Sequence, residues 1–364
     1  MSAEKLQILI TGATGQWLHF YTHASTNVEV SLAGYIGGTV LQLLLEHPKR
    51  DTFEITAFLR SAEKAKKLEM FGVHTALGSL DDVDKLEDLA SKANVILNIA
   101  DCDHFAGNTA ILRGLKKRHE KTGEVPILIH TSGTGVLTDD AKGDKVTDTI
   151  YYDSNPEQIE SLPDTQIHRN VDLEVVAADK AGYARTYIIL PGVVYGLASG
   201  KLVDAGIMNR RSMLGPLLVK AGLSRGQGGV IGEGKNLWPA VEVNETADLF
   251  LVVFNAALAH SEHPTPHGRE GYFFGENGEY PAIDLCRAIA NALYELGKGK
   301  SPEPTPFTDE EAMKYFGGYI LGSNSRARGK RSRAWGWKPT KTPADLMASM
   351  RPEVEGFIAD QAGK

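Results

Sequence analysis

The residues with the clearest chemical meaning stand where the first apolar run of the sequence ends. The run at 6–11 leads directly into the segment TGATG at residues 11–15. Glycines at such a point allow a tight turn and let the backbone approach a phosphate, and the N-terminus of a following helix favours the negative charge. A dinucleotide-binding run of the form Gly-x-x-Gly-x-x-Gly would need a third glycine at position 18, where Leu18 stands. The spacing therefore predicts a dinucleotide loop that is interrupted.

The missing half of this loop follows later in the sequence, as GYIGG at residues 34–38. Joining the two halves gives TGATGYIGG, so residues 16–34 form a 19-residue insertion inside the loop. The insertion contains no Lys or Arg, has no strong helical or strand period, and is flanked by glycine. Two interpretations are open: a genuine excursion whose aromatic and histidine side chains cover the site, or a translated retained intron. We favour the second.

The elements that would position this loop alternate between strands and helices. Apolar runs predict strands at 6–11, 53–59, 73–77, 95–100, 125–130 and 186–190, and helical spacing predicts helices at 37–46, 62–71, 81–90, 106–121, 171–180 and 283–296. This alternation is typical of an α/β doubly wound parallel sheet, the Rossmann arrangement, with helices on both faces. We predict a nucleotide-binding domain at 1–195 and a smaller C-terminal substrate lobe at 196–364, with segments crossing back between them.

Composition excludes several classes of protein. The 364 residues include 46 Asp and Glu, 39 Lys and Arg, 42% hydrophobic residues and two cysteines, Cys102 and Cys286. A hydrophobic fraction of this size excludes global disorder, and two cysteines cannot build a disulfide scaffold. Apolar runs fall short of the roughly 20 residues that span a bilayer, and a net acidic chain disfavours nucleic acid. We expect a cytoplasmic protein that acts on a small molecule and binds neither a membrane nor nucleic acid.

The end of the second predicted strand indicates which dinucleotide would bind. A carboxylate there would bond the ribose hydroxyls of NAD, but this sequence has Arg60 and Ser61. A cation and a hydroxyl suit the 2′-phosphate of NADP. The alternative is that Arg60 is an ordinary solvated charge. We therefore expect NADP, with NAD as the alternative.

Further segments carry a family resemblance once the insertion is set aside. The chain resembles the extended and atypical short-chain dehydrogenase/reductases, the NAD-dependent epimerase/dehydratase-like group. The resemblance covers nearly the whole chain and depends on the order and spacing of its pieces. These are TGATG and GYIGG in the loop, then FEITAFLRS at 53–61, GSLDD at 78–82, VILNIAD at 95–101, ILIHTSGTGV at 127–136, LPGVVYG at 190–196, WPAVEVNETAD at 238–248 and WGWKP at 335–339.

This resemblance implies a set of cofactor contacts around the predicted loop. The residues that match the family's loop are joined by those at the exits of the second, third and fourth strands. The expected contacts are Gly12, Thr14, Gly15, Tyr35, Ile36, Gly37, Arg60, Ser61, Ser79, Leu80 and Ala100.

The same resemblance implies catalytic residues, with one departure from the family pattern. Family reductases use a Ser or Thr after strand five and a Tyr-x-x-x-Lys pair on the next helix. Ser132 matches the serine, with Thr134 as the alternative, but neither tyrosine at 151–152 is followed by lysine four residues later. His168 and Asp172 occupy the positions of that pair. A histidine could donate a proton near neutral pH while Asp172 orients it; the alternatives are a structural pair and a cofactor or partner contact.

Other features have simpler interpretations. The basic run at 326–333 is expected to be a solvated helix face, and no residue spacing predicts a metal site. Cys102 follows a strand end, but no adjacent cation in the sequence indicates a thiolate.

Together these features predict an NADP-dependent oxidoreductase that transfers hydride on a small carbonyl, such as an aldehyde, or on a hydroxyl compound. The missing Tyr-x-x-x-Lys pair favours an alternative, a non-catalytic NAD(P)-binding sensor or regulatory protein.

Overall fold

A computed structural model describes residues 4–14, 34–212 and 214–362. Gly15 and most of the predicted insertion therefore lie outside the described residues. The strands are β1 Leu6–Thr11, β2 Phe53–Leu59, β3 His74–Leu77, β4 Val95–Asn98, β5 Ile127–Thr131, β6 Tyr151–Tyr152, β7 Arg185–Pro191, β8 Val193–Tyr195, β9 Gly229–Val230, β10 Leu237–Glu242, β11 Tyr272–Gly275, β12 Glu279–Pro281, β13 Thr305–Pro306 and β14 Ala327–Arg328. The helices are α1 Ile36–Leu45, α2 Ala62–Glu69, α3 Val83–Ala90, α4 Phe105–Thr122, α5 Pro156–Glu160, α6 Arg169–Lys180, α7 Lys201–Asp204, α8 Leu214–Arg225, α9 Val243–Leu258, α10 Ala282–Glu295, α11 Asp309–Phe316, α12 Lys330–Ala334 and α13 Pro343–Ala362.

The central sheet is parallel and, within the described residues, has seven strands in the order β11-β7-β5-β4-β1-β2-β3. The strand order changes direction between β1 and β4, so the loops that leave these two strands diverge and open a crevice at their carboxyl ends. The predicted doubly wound α/β fold is confirmed.

Helices cover both faces of this sheet because its strands are apolar on both sides. Ile8 and Ile10 of β1 pack in one cluster with α1 and α9, whereas Leu9 between them packs in another with α3, α4 and α6. Successive side chains of a strand point to opposite faces, so one short apolar strand supports two helical layers.

A second group of elements builds the wall opposite the crevice. β10 pairs parallel with β8 and antiparallel with β12, and α8, α10 and α13 pack together around a third apolar cluster. β11, although it lies between β10 and β12 in the sequence, pairs with β7 in the main sheet. The division of the chain at residue 195 stays a prediction.

The longest helices without a counterpart among those predicted from spacing are α8, α9 and α13. α8 contains two glycines and a proline, and α13 contains Pro352, so composition obscures their period. Across the described residues, none of the helices is long and apolar enough to cross a membrane.

Candidate functional site

The chain turns sharply where β1 ends, and glycine is required at two positions of this turn. Gly12 has a φ of +75°, and a Cβ there would lie 2.4 Å from the carbonyl oxygen of Ile99. Gly37, in the first turn of α1, would place a Cβ 2.4 Å from the carbonyl oxygen of Gly12. The exit of β1, the exit of β4 and the start of α1 are thus packed backbone against backbone, as a dinucleotide loop requires.

The N-terminus of α1 is suited to an anion. Tyr35 is its N-cap residue, the Tyr35 side chain makes no capping hydrogen bond, and no acidic residue stands in the first turn of the helix. The first backbone N–H groups of such a helix lack intrahelical partners and favour a phosphate. The Tyr35 side chain itself has a structural contact, because its buried hydroxyl donates to the carbonyl oxygen of Gly196 at 2.6 Å.

Two cations meet at the end of β2. Arg60 follows the strand, and burial lowers its pKa. Ser61 caps α2, since its hydroxyl accepts a hydrogen bond from the backbone N–H of Lys64 at 3.2 Å. Lys64 extends its Nζ to the carbonyl oxygen of Thr14 at 2.9 Å, and burial lowers its pKa as well. Lys64 was missed by the sequence analysis, although its place three residues after a helix-capping serine was a usable signal.

The residues expected on the adenine side lie at the exits of β3 and β4. The Ser79 side chain is used within its own turn, accepting from the backbone N–H of Asp81 at 3.2 Å, and Leu80 is partly buried. Ala100 donates its backbone N–H to the hydroxyl of Thr11 at 3.2 Å.

Ser132 and Asp172 form a buried pair beyond the end of β5. Ser132 is 5% exposed, and its hydroxyl donates to Oδ2 of Asp172 at 2.9 Å. Asp172 is fully buried in the first turn of α6, and burial raises its pKa to about 6. Its other oxygen, Oδ1, has no hydrogen-bond partner among the described residues and lies 3.9 Å from Nε2 of His130.

A buried polar network connects this pair with the glycine loop. Asn98 accepts from the Thr11 hydroxyl at 2.7 Å and lies 3.1 Å from Nδ1 of His130. The amide of Asn98 also donates to Asn108 at 2.5 Å. Burial lowers the pKa of His130 to about 3, so its ring is neutral. Because the Asn98 amide donates to Nδ1, the ring proton is on Nε2, the nitrogen nearer Asp172.

His168 is oriented by a carboxylate other than the expected one. The spacing of His168 and Asp172 predicts that Asp172 orients the ring, but Nδ1 of His168 lies 2.7 Å from Oδ1 of Asp103. The reason is that His168 is the N-cap residue of α6 and has a φ of +67°, so the helical spacing rule for positions four apart does not apply to its ring. Asp172 is instead bonded to Ser132.

The surroundings of His168 favour its protonated form. Burial lowers its pKa, but the neighbouring Cys102 and the carboxylate of Asp103 outweigh burial and raise the pKa well above its ordinary value. Its Nε2 lies beside the backbone of the TSGTG segment, because a Cβ on Gly133 or Gly135 would come within 3.2 or 3.1 Å of this atom. Glycine at both positions therefore makes room for the ring.

Cys102 has a cationic neighbour that the sequence did not indicate. Its Sγ lies 3.3 Å from Nδ1 of His168, while burial raises its own pKa. Among the described residues, one group of three possible metal ligands has its ligand atoms all within 4.8 Å of one another. It consists of Cys102, Asp103 and His168. Both partners contact the same nitrogen of His168, so the arrangement holds a proton on Nδ1.

A cavity of about 250 Å³ opens between this polar cluster and the second group of elements. Ser132, His168, Cys102, Ala100 and Ile36 line it, whereas Asp172 lies behind Ser132. Arg60, Ser61, Ser79 and Leu80 do not line it and stand at other strand exits. The cavity therefore brings together two of the three predicted catalytic residues, Ser132 and His168, whereas the predicted 2′-phosphate contacts and the adenine-side residues after β3 lie apart from it.

The arginines of the basic run at 326–333 are ion-paired or bonded to backbone, which corrects the expectation of a solvated helix face. Arg326 and Arg328 both bind Glu279, Arg333 binds Glu276 at 2.7 Å, and Arg331 donates to the carbonyl oxygens of Asp153 and Glu270.

Comparisons with known proteins agree with this architecture. No protein-family model matches the chain. The chain is 27% identical over 350 residues to "Oxidase ucsJ" of Acremonium sp, covering 91% of this chain and 96% of that protein. It is 24% identical over 317 residues to the protein C2A9.02 of Schizosaccharomyces pombe, covering 85% of this chain and 92% of that protein.

Solved structures share the fold along nearly the whole chain. A dTDP-glucose 4,6-dehydratase from Bacillus anthracis in complex with NAD has a TM-score of 0.60 and 16% identity, and the match covers 98% of each chain. The yeast methylglyoxal/isovaleraldehyde reductase Gre2 complexed with NADPH has a TM-score of 0.55 and 16% identity, covering 96% of this chain and all of that one. The chain thus has the Rossmann fold of the epimerase/dehydratase and short-chain reductase proteins, and the resemblance inferred from its sequence is confirmed at that level.

Proposed function

We propose that this protein is an NADP-dependent oxidoreductase that acts on a carbonyl or hydroxyl compound at the Ser132–His168 end of the cavity. The observation that carries the proposal is the convergence of a hydrogen-bonded Ser132–Asp172 pair and a protonated His168 on one cavity beside the glycine loop. The similarity to a fungal protein called an oxidase and the fold shared with an NADPH-bound reductase support it. A reducing compartment such as the cytoplasm suits the two free cysteines.

The residues around the loop fit a dinucleotide. Gly12 and Gly37 bring the backbone close, and the uncapped N-terminus of α1 would receive the pyrophosphate. Arg60 and Lys64 supply positive charge where the 2′-phosphate of NADP would bind, which supports NADP over NAD. When bound, the nicotinamide would give a hydride to the carbonyl carbon and become oxidised, while the carbonyl oxygen takes a proton from the protein.

His168 is the proton donor in this proposal. Asp103 holds the proton on Nδ1, so Nε2 is the nitrogen left for a substrate, and no described residue bonds to it. The raised pKa keeps the imidazolium populated near neutral pH, so Nε2 can donate to a carbonyl oxygen as negative charge develops there. This role replaces that of the family tyrosine.

Ser132 orients the same carbonyl oxygen, and the protonation state of Asp172 decides whether the Ser132 hydroxyl donates or accepts that hydrogen bond. While Asp172 is ionised, the Ser132 hydroxyl donates to it and can only accept from a substrate. Once Asp172 is protonated, the serine hydroxyl is released to donate to a carbonyl. The pKa of about 6 for Asp172 therefore favours carbonyl reduction on the acid side of neutrality.

The test is aldehyde reduction followed by loss of NADPH absorbance, with cofactor affinity measured separately by calorimetry. We expect His168→Ala to lower kcat/KM by about 10²- to 10⁴-fold, the usual contribution of a general acid, with an unchanged Kd for NADPH. His263→Ala, a change at an exposed histidine far along the sequence, is the control and should leave both values unchanged. Failure to bind either nicotinamide cofactor would refute the proposal.

The absent Tyr-x-x-x-Lys pair supports a second candidate, a non-catalytic NAD(P)-binding sensor or regulatory protein. Tight NADPH binding without turnover of any aldehyde, unaltered by His168→Ala and Ser132→Ala, would favour this candidate over the enzyme.

A further inference from the structure

The wall of the cavity that the second group of elements supplies is mostly apolar, and its polar atoms are the indole nitrogen of Trp238, the Tyr280 hydroxyl and the Cys286 thiol. α8, α10 and the segments around β9, β10 and β12 contribute aliphatic and aromatic side chains and no charged ones. The residues of this wall are Leu214, Leu218, Val230, Ile231, Trp238, Tyr280, Ala282, Leu285, Cys286, Phe307, Ile320 and Leu321.

Charge is almost absent from the whole lining. Among the described residues, the cavity lining contains one carboxylic acid, Asp101, and one histidine, His168. None of the described Lys or Arg residues lines it. Burial raises the pKa of Asp101. A phosphorylated or nucleotide-linked substrate would need cations here, because burying an unpaired phosphate charge costs several kcal/mol.

The arginines near this wall in the sequence do not supply such cations, because Arg225 binds Glu311 and Arg287 binds Glu303. Arg326 and Arg328 share Glu279, which is itself mostly buried, and Arg333 is bonded to Glu276. Recruiting Arg333 for a substrate phosphate would leave the buried carboxylate of Glu276 without this ion pair, and recruiting Arg326 or Arg328 would remove one of the two cations that hold Glu279.

From these observations we infer that the substrate is an uncharged, elongated apolar carbonyl compound or the corresponding alcohol. Its reacting end lies at Ser132 and His168, and its hydrocarbon tail lies against the wall formed by Leu218, Ile231 and Leu285. This assignment rests on the proposed oxidoreductase function for the reacting end, and on the cavity lining alone for the tail. Apolar burial would supply the binding free energy, and the polar cluster would supply orientation.

The test is a homologous series of straight-chain aldehydes, from butanal to decanal, reduced by the full-length protein with NADPH. Each buried methylene contributes about 0.8 kcal/mol, so kcat/KM should rise about fourfold per methylene until the tail fills the cavity. A second readout is binding of butanol and decanol by calorimetry, which needs no turnover and should show the same trend. UDP-glucose is the charged probe and should not bind.

A variant localises the tail. Leu218→Phe enlarges a side chain of the wall, and we expect it to remove most of the advantage of decanal while sparing butanal. Leu223→Phe is the matched control, because it lies on the same helix and against the same apolar cluster but does not line the cavity. Thermal unfolding checks that both variants fold; if Leu218→Phe does not, the aldehyde and alcohol series with the native chain decide.

The outcomes separate the two proposals. Turnover of aldehydes with a flat dependence on chain length, or binding of UDP-glucose, would overturn the assignment of an apolar substrate while leaving the oxidoreductase intact. Length-dependent binding of alcohols with no turnover of any aldehyde would keep the apolar site and reject the oxidoreductase.

Discussion

The carboxyl group of Asp172 is buried, so its titration changes the free energy of unfolding. The same titration changes the hydrogen bond that Ser132 donates to it. The pKa of Asp172 is about 6 in the folded protein, against about 3.9 for an unfolded aspartate. Between these values the folded state binds more protons, so this group lowers stability as pH rises, by about 3 kcal/mol in total. The Asp172→Asn variant lacks this titrating group, so its stability should not show this fall. We therefore expect the difference in unfolding free energy, variant minus native chain, to increase by about 3 kcal/mol between about pH 4 and about pH 7. Urea unfolding across this range is the measurement, and a constant difference would contradict the prediction.

Arg60 is a second single residue with a predictable effect, because one guanidinium group can decide whether NADP or NAD binds more tightly. A hydrogen bond to a charged group contributes about 1.5–3 kcal/mol, so Arg60→Ala should weaken NADPH binding by roughly 10- to 150-fold and leave NADH binding unchanged. Lys66→Ala, on the exposed side of α2, is the control. Calorimetric titration with both cofactors checks this, and equal losses for NADPH and NADH would show that Arg60 does not contact the 2′-phosphate.

At the scale of elements, α1 is attached to the second part of the chain by the Tyr35 hydroxyl. Removing it in Tyr35→Phe leaves the buried carbonyl of Gly196 without this donor. We expect the unfolding free energy to fall by about 1–3 kcal/mol. Tyr294→Phe changes a tyrosine that is 49% exposed and should have no effect. Equal stability of both variants in urea would mean that this contact does not hold the helix.

The helices and strands also show which parts of the structure could be predicted from the sequence: local elements could, whereas contacts between residues distant in sequence could not. The strands β1 and β2 were located residue for residue, because apolar runs and their ends are local properties. Asp103 and His168 are 65 residues apart, and no local pattern records that pairing. Asn98 and His130 looked like ordinary strand residues, since their polarity is compensated only across neighbouring strands. The left-handed backbone of His168 is likewise set by its surroundings.

At the scale of the whole molecule, the insertion at 16–34 separates the two halves of the glycine loop in the sequence, and most of it lies outside the described residues. Each doubling of a loop's length costs about 0.6 kcal/mol in closure entropy. Deleting this segment shortens the link between β1 and α1 by a little over two doublings, so it should stabilise the protein by about 1.4 kcal/mol, and NADPH should bind the shortened chain more tightly. Thermal unfolding and calorimetry of the two chains give the comparison. Weaker binding after deletion would identify the segment as a genuine part of the site, and transcripts that all contain it would exclude the intron.

The pairing of β11 with β7 has a consequence for how the chain is made. β7 needs β5 on one side and β11 on the other, and β11 begins about 80 residues after β7 ends. A ribosome adds about 5–20 residues per second, so one edge of the growing sheet stays open for about 4–16 seconds. During that interval β7 exposes the backbone groups that other nascent chains can pair with. We expect synthesis that stops before residue 272 to yield aggregates that chaperones must hold, and translation speed through this interval to govern the yield of folded protein.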